Sequence, residues 1–459
     1  MASQLSPKSV FAIKSINSAI RWLPIAVLVA VASLVQVQAR GLVKNEEGAF
    51  QGYTLFTPLR STLTVLIDME GRVVHEWESK HMPSNSAYLL TNGNLLRCTK
   101  VMGNKVFGDR GPSGGRVELF DWDGNQLWDF VFSNETHHQH HDIEPMPNGN
   151  VLILAWERIS KDDAIAAGRS LDGLSDQGIF PDKIVEVKRT GSTTGDIVWE
   201  WHAWDHVIQD ADKSKANYGD VAVHPELLNI NLNPRPRPDW MHTNGLDYNP
   251  ELDQIVMSAR SFNEILVIDH STTTEEAAGH SGGNAGQGGD ILFRWGNPAN
   301  YRAGDQDDRT LFLQHDSRWV KAGRPGSGNL TIFNNGNGRS EGNWSSIDEI
   351  EPPINKDGSY AITSGSAFEP KEPTWSYSAP NPQDFYSSFI SGAERLPNGN
   401  TLICSGSEGI FFEVTPKGNT VWEYHNPYEL PPVGPEGPHS VFRVVRYATD
   451  YPGLAGRDL

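Results

Sequence analysis

The chain has 459 residues and a formal net charge of −19, and 38% of its residues are hydrophobic. This length allows two or three average domains, or one large repetitive domain with a sizeable core. The negative charge argues against a nucleic-acid backbone as a partner. The high counts of 44 Gly, 29 Pro and 14 Trp are typical of many short strands joined by tight turns.

The first segment has the features of an export signal. Its basic residues are Lys8, Lys14 and Arg21. They precede an apolar run over residues 22–35 and a small-residue cleavage site at 37–39. An uncleaved anchor is the alternative, although a membrane-spanning helix needs about 20 residues. We therefore expect a signal peptide over residues 1–39 and one folded domain over 40–459. The expected location is periplasmic or extracellular, with a membrane tether if the signal is not cleaved.

A short motif recurs along the rest of the chain. It consists of a glycine, two variable residues, an apolar residue, and two aromatic residues one position apart. Five copies begin at Gly71, Gly124, Gly195, Gly289 and Gly418, and a degraded sixth copy is Trp375-Ser376-Tyr377. The first copy has His75 in its first aromatic position. The period of two predicts a strand with both aromatic side chains on one face.

Each copy is followed by a second constant pattern of a short strand, a turn and an apolar strand. Asn-Gly pairs at 148–149 and 398–399 are strong hairpin-turn signals, because both central residues tolerate positive φ. The repeating unit is therefore four short antiparallel strands, present six times. Six such units predict an all-β fold, a six-bladed β-propeller with four-stranded antiparallel blades. A β-sandwich with long loops is the alternative. Residues 52–56 are expected to pair with 442–446 and close the ring.

The two cysteines and two insertions carry no predicted chemistry. Cys98 and Cys404 follow Asn-Gly-Asn turns at equivalent places in two repeats, so neither a disulfide nor a shared metal is favoured. Residues 233–238 alternate proline with arginine and predict a rigid, exposed approach to the segment that follows. Residues 271–289 are rich in Thr, Gly and Ala and predict a mobile loop.

Residues 239–260 predict a hairpin whose turn occupies 249–253. If the turn is centred on residue 251, the numbers of antiparallel partners sum to 502. The expected cross-strand neighbours are His242 with Arg260, and Asn244 with Ser258.

The open end of this hairpin would then collect an imidazole, an amide, the Thr243 hydroxyl and a guanidinium. Arginine offers a planar fork of donors that suits a tetrahedral oxyanion. Histidine can move a proton near pH 7. This set could hold a sulfuryl or phosphoryl group. A polar hairpin end that satisfies its own hydrogen bonds is the alternative.

One position recurs in every repeat, seven residues before the Asn-Gly-Asn turn or at the equivalent place. The series is Asn85, His141, His242, His315, Ser391 and His439. Equivalent positions on the inner strands of a propeller point into one central channel. The four histidines therefore predict a functional site there, and a merely water-filled polar channel is the alternative.

Residues 137–141 contain four histidines, which invites a metal interpretation. Metal ligands must converge, whereas alternate residues of an extended segment face opposite sides. No metal is predicted. The chain has no P-loop and no dinucleotide-binding glycine motif, so no cofactor is expected.

These motifs resemble those of the bacterial arylsulfate sulfotransferases. The most specific match is Asp-Trp-Met-His-Thr-Asn over 239–244 with Ser-Ala-Arg over 258–260. Further matches are residues 140–143, 314–316, 333–338 and 52–58. The resemblance covers nearly everything after the expected signal.

The resemblance implies a periplasmic six-bladed propeller that moves a sulfuryl group from a phenolic sulfate ester to a phenol. The donor is not adenosine-phosphosulfate, and the reaction runs through a sulfohistidine. The implied partners are therefore small molecules. The implied residues are His315 as the nucleophile, His242, Asn244 and Arg260 for sulfuryl binding and charge stabilisation with Thr243 nearby, His141 as the remaining active-site histidine, and Ser391 as the hydroxyl residue of a later blade.

The chain departs from the family pattern in two places. Well-known members carry an additional N-terminal β-domain that supports dimer formation, and only about a dozen residues lie between the expected signal and the propeller here, so the oligomeric state stays open. Cys98 and Cys404 cannot form the closely spaced disulfide of those members. Two other functions remain: a non-catalytic propeller that binds an anionic or aromatic ligand, and an aryl sulfate hydrolase.

Overall fold

The structure is a computed structural model that describes residues 40–109, 111–432 and 436–459. The predicted signal and cleavage site lie outside these residues. Among the described residues, six sheets of four antiparallel strands form a β-propeller, which confirms the predicted fold class.

The strands are, in chain order, β1 (Gly41–Asn45), β2 (Gly52–Pro58), β3 (Leu63–Ile67), β4 (Val73–Glu78), β5 (Pro83–Leu89), β6 (Leu95–Lys100), β7 (Gly115–Phe120), β8 (Gln126–Val131), β9 (His137–Pro145), β10 (Val151–Glu157), β11 (Asp182–Arg189), β12 (Gly195–His202), β13 (Val207–Ile208), β14 (Leu228–Asn229), β15 (Thr243–Asn249), β16 (Gln254–Ala259), β17 (Glu264–Asp269), β18 (Phe293–Trp295), β19 (His315–Trp319), β20 (Leu330–Asn334), β21 (Ser346–Ile350), β22 (Trp375–Tyr377), β23 (Gly392–Arg395), β24 (Thr401–Ser405), β25 (Ile410–Val414), β26 (Thr420–His425) and β27 (Val441–Ala448).

Each blade runs from an inner strand at the channel to an outer strand. Blade 1 is β27-β2-β3-β4, blade 2 is β5-β6-β7-β8, and blade 3 is β9-β10-β11-β12. Blade 4 is β15-β16-β17-β18, blade 5 is β19-β20-β21-β22, and blade 6 is β23-β24-β25-β26 with β1 added to its outer edge. The short strands β13 and β14 pair in parallel outside the blades.

The helices are short. The α-helices are α1 (Lys161–Ala166) and α2 (Thr274–Ala277), and the 3-10 helices are Ala203–His206, Val221–Val223, Arg260–Phe262, Pro298–Tyr301, Gln306–Asp308, Pro382–Asp384 and Pro452–Leu454. Within the described ranges, no helix combines the length and apolar character needed to cross a membrane. Helix α2 lies in the segment 271–289, where composition predicts no regular structure. Thr273 and Glu276 cap it reciprocally in a capping box.

The recurring aromatic motif lies on the outer strand of every blade, and a tryptophan in each copy joins its blade to the next one. The indole nitrogen of Trp77 in blade 1 donates to Asp121 O in blade 2 at 3.0 Å. The other indole contacts are Trp128 to Thr194 O, Trp201 to Gly289 O, Trp295 to Pro370 O, Trp375 to Pro416 O, and Trp422 to Met69 O, which returns to blade 1. The repeat is therefore structural. It buries an aromatic surface between blades and satisfies each indole N–H.

The ring closes as predicted. Strand β2 pairs with β27 from Gly52 opposite Ala448 to Phe56 opposite Val444. Strands β2 and β27, which lie near the two ends of the described chain, thus pair in blade 1, while β1 extends blade 6. Cys98 and Cys404 are buried and free, and they lie in blades 2 and 6.

Several inner strands contain extra residues relative to the strands with which they pair, and these residues lie at the same level of the channel. In blade 3, Gln139 pairs with Ala155 and Ile143 with Ile153, so β9 takes two more steps than β10. Register shifts also interrupt β5, β15, β19 and β27. Bulges re-aim side chains, and the non-glycine residues His141 and His242 have φ of 48° and 51°. Such strained backbone is typical of functional sites.

The hairpin β15–β16 forms, but its predicted register is wrong near the turn. Asn249 pairs with Gln254, so partner numbers sum to 503. The turn holds the four residues 250–253, and its centre therefore falls between two residues. A bulge between Leu246 and Thr243 then shifts the register by one residue. Thr243 therefore pairs with Ala259 at the open end, where the partner numbers sum to 502 as predicted.

Candidate functional site

Three of the histidines predicted to face the channel lie together with Arg260. The rings of His141 and His242 pack edge to face with centroids 4.7 Å apart. Beyond the effect of burial, His242, His315 and Arg260 all lower the pKa of His141. These residues come from blades 3, 4 and 5, and their side chains share one end of the channel.

His141 is held as a neutral imidazole. Its Nδ1 lies 2.8 Å from His140 Nδ1, so one ring donates and the other accepts. His140 stacks on Trp156 at 4.2 Å, and its Nε2 lies 3.2 Å from Asp182 Oδ1. Burial, followed by His242 and His140, holds the pKa of His141 well below its usual value. The four histidines of 137–141 do not converge. His138 contacts Ser113 and Ser133, and His137 stacks on Phe132.

His242 is paired with a carboxylate that comes three residues earlier. Its Nδ1 donates to Asp239 Oδ2, and Asp239 Oδ1 accepts the indole N–H of Trp156 at 3.0 Å. Burial opposes ionisation of Asp239, but the contact with His242 outweighs it and keeps the pKa of Asp239 below its usual value. The pair orients the ring, and Nε2 of His242 has no hydrogen-bond partner among the residues that the structure describes. Asp239 was not among the predicted site residues, although it lies in the same sequence motif.

His315 is oriented by Asn335, which the sequence analysis did not select. The amide nitrogen of Asn335 donates to Ser387 O at 2.8 Å and to Ile390 O at 3.0 Å. Its Oδ1 must therefore accept, and it lies 2.7 Å from His315 Nδ1. The proton of His315 is thus on Nδ1 and the lone pair on Nε2. That lone pair accepts the backbone N–H of Ile390 at 3.1 Å.

The electrostatic surroundings keep His315 uncharged. Burial is the main cause of a pKa well below its usual value, and the positive charge of Arg260 adds to it. The hydrogen bond to Asn335 acts in the opposite direction but is outweighed. His315 is therefore a buried, neutral imidazole with a defined tautomer.

Arg260 supplies a cation to the site. It begins the 3-10 helix that follows β16, and its guanidinium has no hydrogen bond or ion pair with any residue that the structure describes. Burial lowers its pKa from the usual value, while Asp239 raises it and Arg235 lowers it further. A guanidinium with free donors has the chemistry to hold an oxyanion.

Polar atoms without partners cluster at the open end of the same hairpin. Within the described chain, Thr243 Oγ1, Asn244 Oδ1 and Ser258 Oγ are buried and unpaired. The backbone N–H of Thr243 donates to Asp182, and the Asn244 amide donates to Gln314 O at 2.8 Å. Buried polar groups are normally hydrogen-bonded, so these atoms indicate a place for a polar ligand.

The remaining positions of the series do not join this cluster. The Ser391 hydroxyl donates to Ser387 Oγ at 2.8 Å and accepts Gly406 N–H at 2.9 Å. It lies one residue after Ile390, which contacts His315, so a role for Ser391 stays a prediction. His439 Nδ1 is bound to Tyr428 O at 3.0 Å.

An apolar cluster adjoins the histidines. Leu59, Ile390 and Phe442 pack together, with Phe389 against them. The Phe442 ring lies 6.3 Å from the ring of His141, and Ile390 contacts His315 through its backbone. The site therefore combines a cation, neutral imidazoles and an apolar wall.

The channel continues into a layer of paired charges. Arg443 Nη2 donates to Asp142 Oδ2 at 2.9 Å, and its Nε lies 2.8 Å from Asp316 Oδ1. Arg318 donates to Asp316 at 2.7 Å and to Tyr88 at 2.8 Å. Some of these residues also line a cavity of about 570 Å³, which touches none of the seven predicted site residues. The histidine site and this cavity are separate parts of the channel.

The fold and site define a propeller with a cluster of three histidines and an arginine in its channel. The family described as Arylsulfotransferase (ASST) matches residues 43–430. The chain therefore belongs to the arylsulfotransferase family.

The curated relatives are distant. The chain is 25% identical over 298 residues to the arylsulfate sulfotransferase AssT of Lelliottia amnigena, a match that covers 59% of this chain and 46% of the relative. It is 24% identical over 320 residues to the arylsulfate sulfotransferase AssT of Escherichia coli O6:H1, covering 64% and 49%. The chain spans about half the length of the curated relatives it matches.

Among solved structures, a protein of unknown function from Bacteroides caccae is 10% identical, with a TM-score of 0.45 and coverage of 86% of this chain and 98% of that chain. A virginiamycin B lyase from Staphylococcus aureus is also 10% identical, with a TM-score of 0.38 and coverage of 84% and 89%.

Proposed function

We propose that this protein transfers a sulfuryl group from a phenolic sulfate ester to a phenol, in a ping-pong reaction through a sulfohistidine at His315. The observation that carries the proposal is the uncommitted Arg260 guanidinium beside neutral histidines. Such a site attracts an anion and offers it an unprotonated nitrogen nucleophile. Membership of the arylsulfotransferase family supports the same reaction class.

In the first half-reaction, Arg260 holds two oxygens of the donor's sulfuryl group through its guanidinium fork. The lone pair on Nε2 of His315 attacks sulfur, and the bond between sulfur and the aryl oxygen breaks. For this attack, the hydrogen bond from Ile390 N–H to Nε2 must break so that the lone pair can form a bond to sulfur. The positive charge that develops on the ring is shared with Asn335 Oδ1 through Nδ1–H.

The leaving phenolate needs a proton. His242 suits this role because Asp239 holds its Nδ1 and so orients Nε2. In the second half-reaction, the neutral His242 takes the proton of an acceptor phenol. The phenol oxygen then attacks sulfur, the bond between sulfur and His315 breaks, and His315 returns to its neutral state.

The residues around the anion position fit an aryl sulfate. The apolar cluster of Leu59, Ile390 and Phe442 offers a surface for an aromatic ring. The unpaired Thr243 hydroxyl can donate to a sulfuryl oxygen, whereas Asn244 Oδ1 only accepts a hydrogen bond. Arg235, in the exposed proline-rich segment, is close enough to lower the pKa of Arg260, and it adds positive potential for an anionic donor.

The decisive assay is incubation with a chromogenic aryl sulfate, with and without a phenol acceptor. We expect rapid phenol release only when the acceptor is present, and parallel lines in double-reciprocal plots. Release that does not depend on acceptor would instead make the protein a hydrolase. Binding without release of phenol would favour the non-catalytic propeller.

The nucleophile is tested with donor alone. The enzyme is digested under non-acidic conditions, and the peptide carrying an added sulfuryl group is located by mass spectrometry. The label is expected on the peptide with His315. A label on the peptide of His141 or His242, each of which has one nitrogen without a protein partner among the described residues, would reassign the nucleophile.

We also propose that residues 1–39 export the protein and are removed after Ala39. The basic residues followed by a short apolar run support this proposal. N-terminal sequencing of the protein from its native host should begin at residue 40. A start before residue 37 in a membrane fraction would favour the tether.

A further inference from the structure

A second cluster of side chains that could act as ligands lies outside the histidine site. His206, His280 and Asp290 each present one potential ligand atom, and these atoms all lie within 4.8 Å of one another. Nδ1 of each histidine is 2.8 Å from Asp290 Oδ1. His206 and Asp290 are buried, whereas the side chain of His280 is 62% exposed.

His206 is held in a fixed orientation. Its ring stacks on Trp201 with an interplanar angle of 4°, and its Nε2 lies 2.8 Å from Ala277 O. Gly289 permits this close packing, because a Cβ there would lie 2.0 Å from Ala277 O and 2.7 Å from His206 Nε2. The carbonyl of Gly289 in turn accepts the indole N–H of Trp201 at 2.7 Å.

The tautomer of His206 follows from these contacts. A carbonyl only accepts, so Nε2 of His206 carries a proton. In a neutral ring the lone pair is then on Nδ1 and faces a carboxylate oxygen at 2.8 Å. This repulsion is relieved by a second proton or by a cation between the two atoms. Metal-ligating histidines usually donate their other N–H to a carbonyl or carboxylate, and His206 does so.

We propose that His206, His280 and Asp290 bind a divalent transition-metal ion, for which Zn²⁺ has the best-matched ligand preference. Two imidazole nitrogens and one carboxylate oxygen suit zinc, with a fourth position open to solvent beside His280. Tetrahedral zinc at about 2.1 Å from its ligands separates them by about 3.4 Å. The present 2.8 Å contacts therefore need to open by only about 0.6 Å, which exposed His280 can provide.

The ion would fasten the insertion 271–289 to the propeller. His280 lies inside this insertion, Asp290 follows it, and His206 belongs to the 3-10 helix after blade 3. Zinc binding displaces the proton from Nδ1 of each histidine that carries one, so the site binds more weakly as the pH falls. The ion's role here is structural, and it takes no part in the transfer reaction.

The test uses the full protein purified without a polyhistidine tag and dialysed against EDTA. Zinc chloride is then added, and bound metal is measured by mass spectrometry together with the melting temperature. Wild type should retain one equivalent of zinc and melt at a higher temperature with zinc than without it.

The variant His280→Ala removes an exposed ligand without opening a cavity, so it should fold. It should lose zinc affinity more than about tenfold and lose the zinc-dependent rise in melting temperature. The matched control is His224→Ala, which removes a partly exposed histidine that also contacts a carboxylate, Glu226. This control should keep both the zinc affinity and the zinc-dependent rise in melting temperature.

Two results would overturn the proposal. One is a wild-type protein that binds no zinc at micromolar concentration, which would make the cluster a metal-free ion pair. The other is a His280→Ala variant that binds zinc as wild type does, which would place the metal on other histidines.

Discussion

Arg260 and Arg443 lie in the same channel, but their surroundings differ. Arg443 contacts Asp142 and Asp316, and both carboxylates are buried. Arg260 has no such partner in the described chain and lies beside histidines that stay neutral. A buried charge with its partners in place stabilises a fold, whereas a cation without partners is available to a ligand. The comparison separates a structural layer of paired charges from the layer that we propose to be reactive.

The largest effect on the reactive layer should come from His315→Ala. If His315 is the nucleophile, acceptor-dependent turnover of an aryl sulfate should fall more than about a thousandfold, because no other group then forms the intermediate. His439→Ala is the matched control, since His439 occupies the equivalent position in the series but its ring is hydrogen-bonded to Tyr428 O. It should keep near-normal turnover. Equal losses in both variants would count against a special role for His315.

The structural layer should respond in stability. Arg443→Met leaves Asp142 and Asp316 without their shared partner and should lower the free energy of unfolding by about 3–5 kcal/mol. Arg260→Met does not leave a carboxylate without its partner. The free energy of unfolding of this variant should change by less than about 1 kcal/mol. Urea unfolding followed by tryptophan fluorescence measures both. Similar losses of stability in the two variants would show that Arg443 is no more important for the fold than Arg260.

Arg260→Lys should keep the charge but lose the fork that holds two oxygens. Loss of one preorganised donor commonly costs about 3 kcal/mol of transition-state stabilisation, so kcat/KM should fall roughly a hundredfold. Arg235→Lys is the control in the exposed segment and should change kcat/KM little at moderate salt. Wild-type-like turnover of Arg260→Lys would show that charge alone is sufficient.

Asn335→Asp tests how the tautomer of His315 is held. The carboxylate still accepts from Nδ1–H, but its charge raises the pKa of His315. The acid limb of the profile of kcat/KM against pH should therefore move to higher pH. Asn335→Ala, which removes the acceptor, should lower kcat by about tenfold without this shift. An unchanged profile in Asn335→Asp would mean that His315 does not titrate in the rate-limiting step.

The smallest effect concerns stability at acid pH. His141 and His315 have folded pKa values well below the unfolded value of about 6.5. The unfolded chain therefore takes up protons first as the pH falls. Above pH 6.5 both rings are neutral in the folded and the unfolded chain, and the free energy of unfolding keeps its full value. Below pH 6.5 it falls, with a limiting slope of about 1.4 kcal/mol per histidine and pH unit. His315→Gln should reduce the slope of unfolding free energy between pH 6.5 and 5. An identical slope would contradict burial of a neutral His315.

Much of the fold was predictable because it rests on local patterns that repeat. The alternating aromatic motif and the Asn-Gly turns each describe a strand or a turn within a few residues, and six copies define the number of blades. The join between β2 and β27 was predicted correctly for the same reason. The register of the hairpin was predicted wrongly near its turn, because the centre of a four-residue turn lies between two residues.

The candidate site was predictable only in part. His141, His242 and His315 could be selected because equivalent positions of a propeller share one channel, and Arg260 because the predicted hairpin places it opposite His242. Asp239 and Asn335 could not, since their importance depends on which nitrogen of a partner ring they contact. The sequence offered one signal for each residue. Asp239 precedes Trp-Met-His in the matched motif, and Asn335 is the second of two asparagines after a strand.

The amino-acid sequence by itself determined the repeating unit, the number of blades and the residue types that face the channel, because each depends on short-range periodicity. Only the tertiary structure decided which cations are paired, which histidines stay neutral and which nitrogen holds a lone pair. It also brought His206, His280 and Asp290 together from an insertion that composition described only as a loop. Burial and hydrogen-bond partners set the chemistry of a side chain, and both arise from residues that are distant in the chain.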